Sequence, residues 1–308
     1  MPVGRGEAEP LPVMVWIHGG SYVAGAGDAP DYNPSSLVSE QGVIVVSVTY
    51  RLGVLVYLGG NGRPPNLGLL DQLVALKWVR RNIAAFDGDP KQVTLFGQSA
   101  GGDAVAHLMA VQGARALFRR AIIQSPPLGI SRGRDEMAKA MVSAASVLSS
   151  RTPIGELLAA QDAAKTAAAP FGLKGLMPFG NQYREVPLPK EQHIDAAWDA
   201  AAPHIDILVT RTAHETRLFL PIVPAVRQLR ALPLVGEHAA TFISWILTRK
   251  VYTKSIKAFA QRHRKAGGAA SEFTFRWAAP GNPYGAAHAI DVRFGSYGHV
   301  LHAVRNPS

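Results

Sequence analysis

Gly97-Gln98-Ser99-Ala100-Gly101 holds the clearest nucleophile signal in the chain. It follows an apolar run at residues 93–96 and opens an Ala-rich segment of helical character, so Ser99 falls at a strand-to-helix turn. Such a turn forces the serine into a strained backbone conformation and lifts its hydroxyl above the sheet edge. Glycines two residues to either side remove the Cβ atoms that would clash there. Ala100, at the helix start, can offer its N–H to a developing oxyanion. Serine is a weak nucleophile at its free pKa, so Ser99 needs a base, an orienting acid and oxyanion donors. Trp16-Ile17-His18-Gly19-Gly20-Ser21 is an HGG-type loop after the first apolar run. Its small residues let backbone N–H groups approach a substrate oxygen, so Gly20 and Ser21 are expected to join Ala100 in an oxyanion hole. His18 belongs to the architecture of this loop and is read as its brace, not as the base.

The elements that must position these residues are legible as β-branched apolar runs at 13–17, 43–48, 93–96, 121–123, 205–209 and 273–277. Helical patterns lie between several of them, which predicts an α/β fold with a mainly parallel central sheet flanked by helices. The clearest helix is expected over 67–86, where Leu69, Leu73, Leu76, Val79 and Ile83 form one stripe before Gly88-Asp89-Pro90. Two Ala-rich or helical stretches, at about 130–202 and 217–265, are read as lid insertions within one domain spanning 1–308.

With 308 residues, 47% hydrophobic and 18% charged, the chain can bury a sizeable core. No apolar run has the length of a membrane span, the first dozen residues lack a signal-peptide core, and a cytoplasmic location is the default expectation. The absence of cysteine excludes disulfides, thiolate metal sites and a thiol nucleophile. A formal charge of +10 raises the question of an anionic partner. The basic residues are mostly dispersed, and the densest run, 249–265, alternates with Tyr252, Ile256 and Phe259 as a surface helix with a solvated basic face. Nucleic acid is therefore not an expected partner.

Several motifs together resemble the type B carboxylesterase family, the group of cholinesterases and bacterial p-nitrobenzyl esterases. They are Pro12-Val13-Met14-Val15-Trp16-Ile17-His18-Gly19-Gly20, Tyr50-Arg51-Leu52-Gly53, Asn66-Leu67-Gly68-Leu69-Leu70-Asp71-Gln72 and the segment from Arg81 through the Ser99 turn. Leu117-Phe118-Arg119-Arg120-Ala121-Ile122-Ile123-Gln124-Ser125 completes a nearly continuous match from Pro12 to Ser125. The resemblance implies an α/β-hydrolase fold and a Ser, acid, His order along the chain. Ile207-Leu208-Val209-Thr210-Arg211-Thr212-Ala213-His214-Glu215 is similar to the strand and loop that carry the family's acid, so Glu215 takes that role and Asp206, at the strand's start, is the alternative. Gly285-Ala286-Ala287-His288-Ala289-Ile290-Asp291 resembles the catalytic-histidine loop, making His288 the base and Asp291 a brace. His107 is read as packing, and His299 and His302 as tail residues. Thr216 stands where the family usually has glycine, and Gln98 where it usually has glutamate, so no preference for cationic substrates is implied.

These residues predict a serine carboxylester hydrolase acting through an acyl-enzyme on small, uncharged, hydrophobic esters of short to medium chain, with no cofactor and no metal. The acyl and alcohol pockets are expected from 128–130, 171–179 and 219–223. Against this stand a non-catalytic interaction protein of the same fold and a hydrolase of amides or lactones. The resemblance further implies that the fold's first two strands are missing. That would leave 43–48, which is uncharged and free of proline, as a sheet edge open to homo-oligomer pairing.

Overall fold

The computed structural model describes residues 9–292 except 61, 146, 147 and 150. Six strands, β1 (Leu11–Ile17), β2 (Ile44–Val48), β3 (Gly88–Gln98), β4 (Arg120–Gln124), β5 (Asp206–Thr212) and β6 (Ala270–Phe275), form one sheet in the order β2-β1-β3-β4-β5-β6. Every pairing is parallel. Parallel neighbours need crossovers, and among the described residues ten α-helices lie in them. Helix α1 (Ser35–Gln41) joins β1 to β2, and α2 (Val54–Tyr57) and α3 (Leu67–Asn82) lead from β2 to β3. Helix α4 (Ala100–Ala110) joins β3 to β4. Helices α5 (Asp135–Ala144), α6 (Ile154–Ala168) and α7 (Ile194–Ala201) lie before β5. Helices α8 (Pro224–Arg230), α9 (Gly236–Thr248) and α10 (Lys254–Lys265) lie before β6.

Register sets Val15, Leu95, Ala121 and Ile207 side by side on one face of the sheet. That face is buried under α3, α4 and α10, and holds the largest part of the core. On the opposite face Trp16, Phe96 and Ile122 line an apolar cleft with Tyr32 and Leu37.

The strands differ from the sequence expectations mainly at their ends. β3 starts at Gly88 because its first residue pairs with Leu11 across a register shift in β1. β6 covers Ala270–Phe275 rather than 273–277, since pairing with Ile207 recruits the weak strand formers Ala270 and Ser271. The α-helix expected to 86 closes at Asn82 and tightens into a 3-10 turn over Ile83–Phe86, which ends on Asp87 in the left-handed region.

The two Ala-rich and helical stretches divide by what their apolar stripes meet. α5 and α6 pack on each other, and α8 and α9 form a second pair with a small core of Leu220, Val226 and Ala240. α7 and α10 instead turn Trp198, Ile256 and Phe259 into the main core beside the sheet. The basic face of α10 is partly paired: Arg262 bridges Asp195 and Asp199, and Arg264 meets Glu272 on β6. Among the described residues no helix is long and apolar enough to cross a membrane.

Candidate active site

The carboxyl ends of β3, β4 and β5 lie side by side, where open parallel sheets place their ligand sites. Ser99 occupies the turn between β3 and α4 with φ 60° and ψ −124°, a left-handed conformation costly for a non-glycine residue. Neighbouring main chain holds it there: Ser99 N donates to Gln124 O at 2.8 Å and Ser99 O accepts from Asp103 N at 2.9 Å. A Cβ on Gly101 would lie 2.1 Å from Ile17 O, so only glycine lets the helix start this close to β1.

Glu215 is fully buried just past the end of β5, and both of its oxygens are used. Oε1 accepts from Ser125 Oγ and Thr212 N, each at 2.7 Å, while Oε2 lies 2.6 Å from His288 Nδ1. A carboxylate saturated this way holds Nδ1–H of the imidazole and leaves Nε2 as the acceptor. Asp206, at the other end of β5, is exposed and has no part in the cluster. The histidine loop is tied to the acid loop by a parallel bridge between His214 and Ala287, with His214 N donating to Ala286 O at 2.9 Å. Phe219 and Tyr252 flank the His288 ring at 5.2 and 5.6 Å between centroids. Nε2 of His288 pairs with the Gln98 carboxamide at 3.1 Å.

The remaining candidates differ in their contacts. Gly20 and Ser21 have φ of 103° and 54°, and Ala100 is the first residue of α4. Among the described residues none of their three N–H groups donates to a protein acceptor. His18 is buried, stacks on Tyr50 at 4.3 Å and turns Nδ1 to Gly19 O, and burial lowers its pKa. His107 is buried between Asp103 O and Tyr183 Oη. Asp291 accepts from Gln124 Nε2 at 3.2 Å, and burial, followed by the charge of Glu215, pushes its carboxyl up. His299 and His302 lie outside the described residues.

Thr216, where the resemblance implies glycine, sits in a 3-10 turn outside the left-handed region, so its backbone does not demand glycine. Its hydroxyl reaches Ser244 O at 2.9 Å and lies 3.0 Å from Thr248 Oγ1, joining the acid loop to α9. Ser125 and the Gln98 contact were missed by sequence reasoning. Ser125 stands at the end of the strand between those of Ser99 and Glu215, a position readable only once the strand order is known.

Beside Ser99 opens a cleft. Its apolar wall comes from Ile130, Leu173, Met177, Phe219 and Val223, with Leu247 and Tyr252 from the α9 region. The first five fall in the three segments expected to build the substrate pockets.

The sequence matches the carboxylesterase family over residues 2–278. The chain belongs to the carboxylesterase family. A probable N-octanoylanthranilate hydrolase of Rhodococcus erythropolis is 39% identical over 293 residues, covering 92% of this chain and 63% of that protein. The para-nitrobenzyl esterase of Bacillus subtilis is 50% identical over 139 residues, 44% of this chain and 28% of its own. Among solved structures, a thermophilic p-nitrobenzyl esterase superposes with a TM-score of 0.78 at 30% identity, over 97% of this chain and 67% of the other. This carboxylesterase-family chain therefore has the α/β-hydrolase fold, and it spans less than two thirds of the length of the Rhodococcus relative.

Proposed function

We propose that this carboxylesterase-family chain is a serine carboxylester hydrolase that works through an acyl-enzyme on uncharged, hydrophobic esters of short to medium chain. Ser99 attacks the ester carbonyl, His288 Nε2 takes the hydroxyl proton and hands it to the leaving alcohol, and Glu215 holds the imidazolium that forms between the two transfers. The N–H groups of Gly20, Ser21 and Ala100 carry the oxyanion. Water then repeats the sequence on the acyl-enzyme. The observation that carries this reading is the 2.6 Å contact from Glu215 to His288, made by a fully buried carboxylate whose other oxygen is already satisfied. The apolar wall of the cleft supports a hydrophobic acyl group, and the neutral Gln98, which precedes Ser99 and contacts His288, supports an uncharged substrate.

The relative named for N-octanoylanthranilate favours a second reading, cleavage of N-acyl bonds by the same groups. One experiment separates the possibilities. A fluorophosphonate should label the purified protein at Ser99, and p-nitrophenyl esters of increasing acyl length should be hydrolysed faster than the matching N-acyl anilides. Labelling with faster anilide turnover would support the amide reading. A folded protein that neither labels nor turns over any of them would make it a non-catalytic member of the family.

A further inference from the structure

The loop that carries two of the proposed oxyanion donors is locally strained. Gly20, Ser21 and Tyr22 have consecutive φ values of 103°, 54° and 61°, and for the two non-glycine residues the left-handed region is strained. Such a conformation persists only where the surroundings over-determine it. Within the loop, Val23 N and Ala24 N both donate to Gly20 O, and Tyr22 O accepts from Gly53 N at 2.8 Å. The remaining restraint comes from a side chain. The Tyr22 ring is fully buried, and its hydroxyl donates to Asp103 Oδ2 at 2.7 Å.

Asp103 stands one turn into α4, the helix whose first residue is Ala100, the third oxyanion donor. Its carboxylate is buried and takes a second partner: Asn181 Nδ2 lies 3.2 Å from Oδ2 and 3.1 Å from the Tyr22 hydroxyl. Arg134, also buried, supplies a nearby positive charge without touching the carboxylate. It donates to the carbonyls of Ile130, Met177 and Pro178, and Asp103's charge opposes the lowering of its pKa by burial. Burial, and then Asp103 itself, hold the Tyr22 phenol well above its ordinary range, so it remains the donor.

We propose that Asp103 is a positioning residue of the oxyanion hole, clamping the Gly20–Tyr22 loop to the nucleophile helix through the Tyr22 hydroxyl. This rests on the ester-hydrolase reading above. A phenol on a carboxylate is a charge-assisted bond, stronger than a neutral pair, and this one spans the two halves of the hole. Loosening it changes the spacing between the Ser21 and Ala100 donors, which matters most when charge develops on the substrate oxygen.

Tyr22→Phe removes one oxygen atom and leaves the ring packing in place. Its kcat should fall roughly ten- to a hundred-fold, short of the loss of a whole donor, with KM within about three-fold of wild type. The inhibition constant of a trifluoromethyl ketone, which binds as a tetrahedral oxyanion, should rise by the same factor as kcat falls. Asp103→Asn keeps an acceptor for the Tyr22 hydroxyl and should lose less than Tyr22→Phe, and the double variant should be no worse than the worse single one. Amide exchange in residues 19–24 should quicken in Tyr22→Phe. A folded Tyr22→Phe protein with a lower melting temperature but unchanged kcat and ketone affinity would overturn the proposal. If wild type fails to label with a fluorophosphonate, the ester-hydrolase reading fails on its own. The exchange measurement then decides the clamp, and unchanged protection of residues 19–24 overturns it.

Discussion

The carboxamide nitrogen of Gln98 lies 3.1 Å from Nε2 of His288, the nitrogen proposed to accept the Ser99 proton. The imidazole does not need this contact to keep its orientation, because Glu215 holds Nδ1 and Phe219 and Tyr252 flank the ring. In the proposed reaction Gln98 therefore competes with Ser99 for one lone pair. Gln98→Met keeps the volume and removes the donor. A neutral hydrogen bond is worth about 1 kcal/mol net, so stopped-flow labelling of Ser99 by a fluorophosphonate should accelerate roughly five-fold. Slower labelling would mean that Gln98 orients the ring.

The proposed triad should behave as a unit. Ser99→Ala and His288→Ala are each expected to cost on the order of 10⁴-fold or more in kcat, and combining them should cost little beyond the worse single change. Glu215→Gln should cost less than His288→Ala, since only the histidine transfers a proton. Ser125→Ala removes one of the two donors to Glu215 Oε1 and should lower kcat about ten-fold. Steady-state kinetics on folded variants check the ranking, and a Ser125→Ala enzyme more damaged than Glu215→Gln would contradict it.

Gly20 tests the oxyanion loop. Its φ is 103°, and a Cβ there would lie 2.0 Å from Ala24 O, so any side chain displaces the loop. Gly20→Val should reduce kcat by about 10²-fold or more, the cost of a lost oxyanion donor. Unchanged kcat, with circular dichroism like wild type, would place the hole elsewhere.

Two buried histidines set a dependence of stability on pH. Burial lowers the pKa of His18 and of His263, each below the ordinary value of 6.5. The unfolded chain therefore binds protons that the folded chain refuses. Their contribution to stability is present above pH 6.5 and is lost as pH falls below it, until the folded pKa of each is reached. Each refused proton is worth about 1.4 kcal/mol per pH unit in that window. Urea unfolding at pH 7.5 and 5.5 should show the loss, and His263→Gln should flatten the profile.

The two sheet edges are defended unequally. β6 carries Glu272, paired with Arg264, whereas β2 has no charged residue and, among the described residues, pairs only with β1. An unguarded edge offers its backbone groups to another strand. The protein is expected to self-associate through β2, and Ser47→Lys, at an exposed position, should return it to monomer. Light scattering coupled to size exclusion reads the result, and a monomeric wild type would remove the edge from consideration.

Residue patterns alone determined the strands, the turn at Ser99 and the HGG-type loop, because each depends on contacts within a few residues of chain. Continuous β-branched apolar runs, a glycine two residues from the serine and an apolar run before it are local properties that composition and spacing record. Resemblance, not spacing, picked out Glu215 and His288, which lie 73 residues apart along the chain. Tertiary structure decided what meets at the strand ends. Ser125 reaches Glu215 only because β4 lies between β3 and β5, and Asp103 reaches Tyr22 across 81 residues only because α4 packs beside the loop after β1. It also sorted the helical stretches, turning α10 onto the sheet and α7 onto α4 and α10 while α8 and α9 packed on each other. An amphipathic pattern records that a face must be buried but not against what, since apolar burial is nearly indifferent to the partner and strand order is set by the sum of many such contacts.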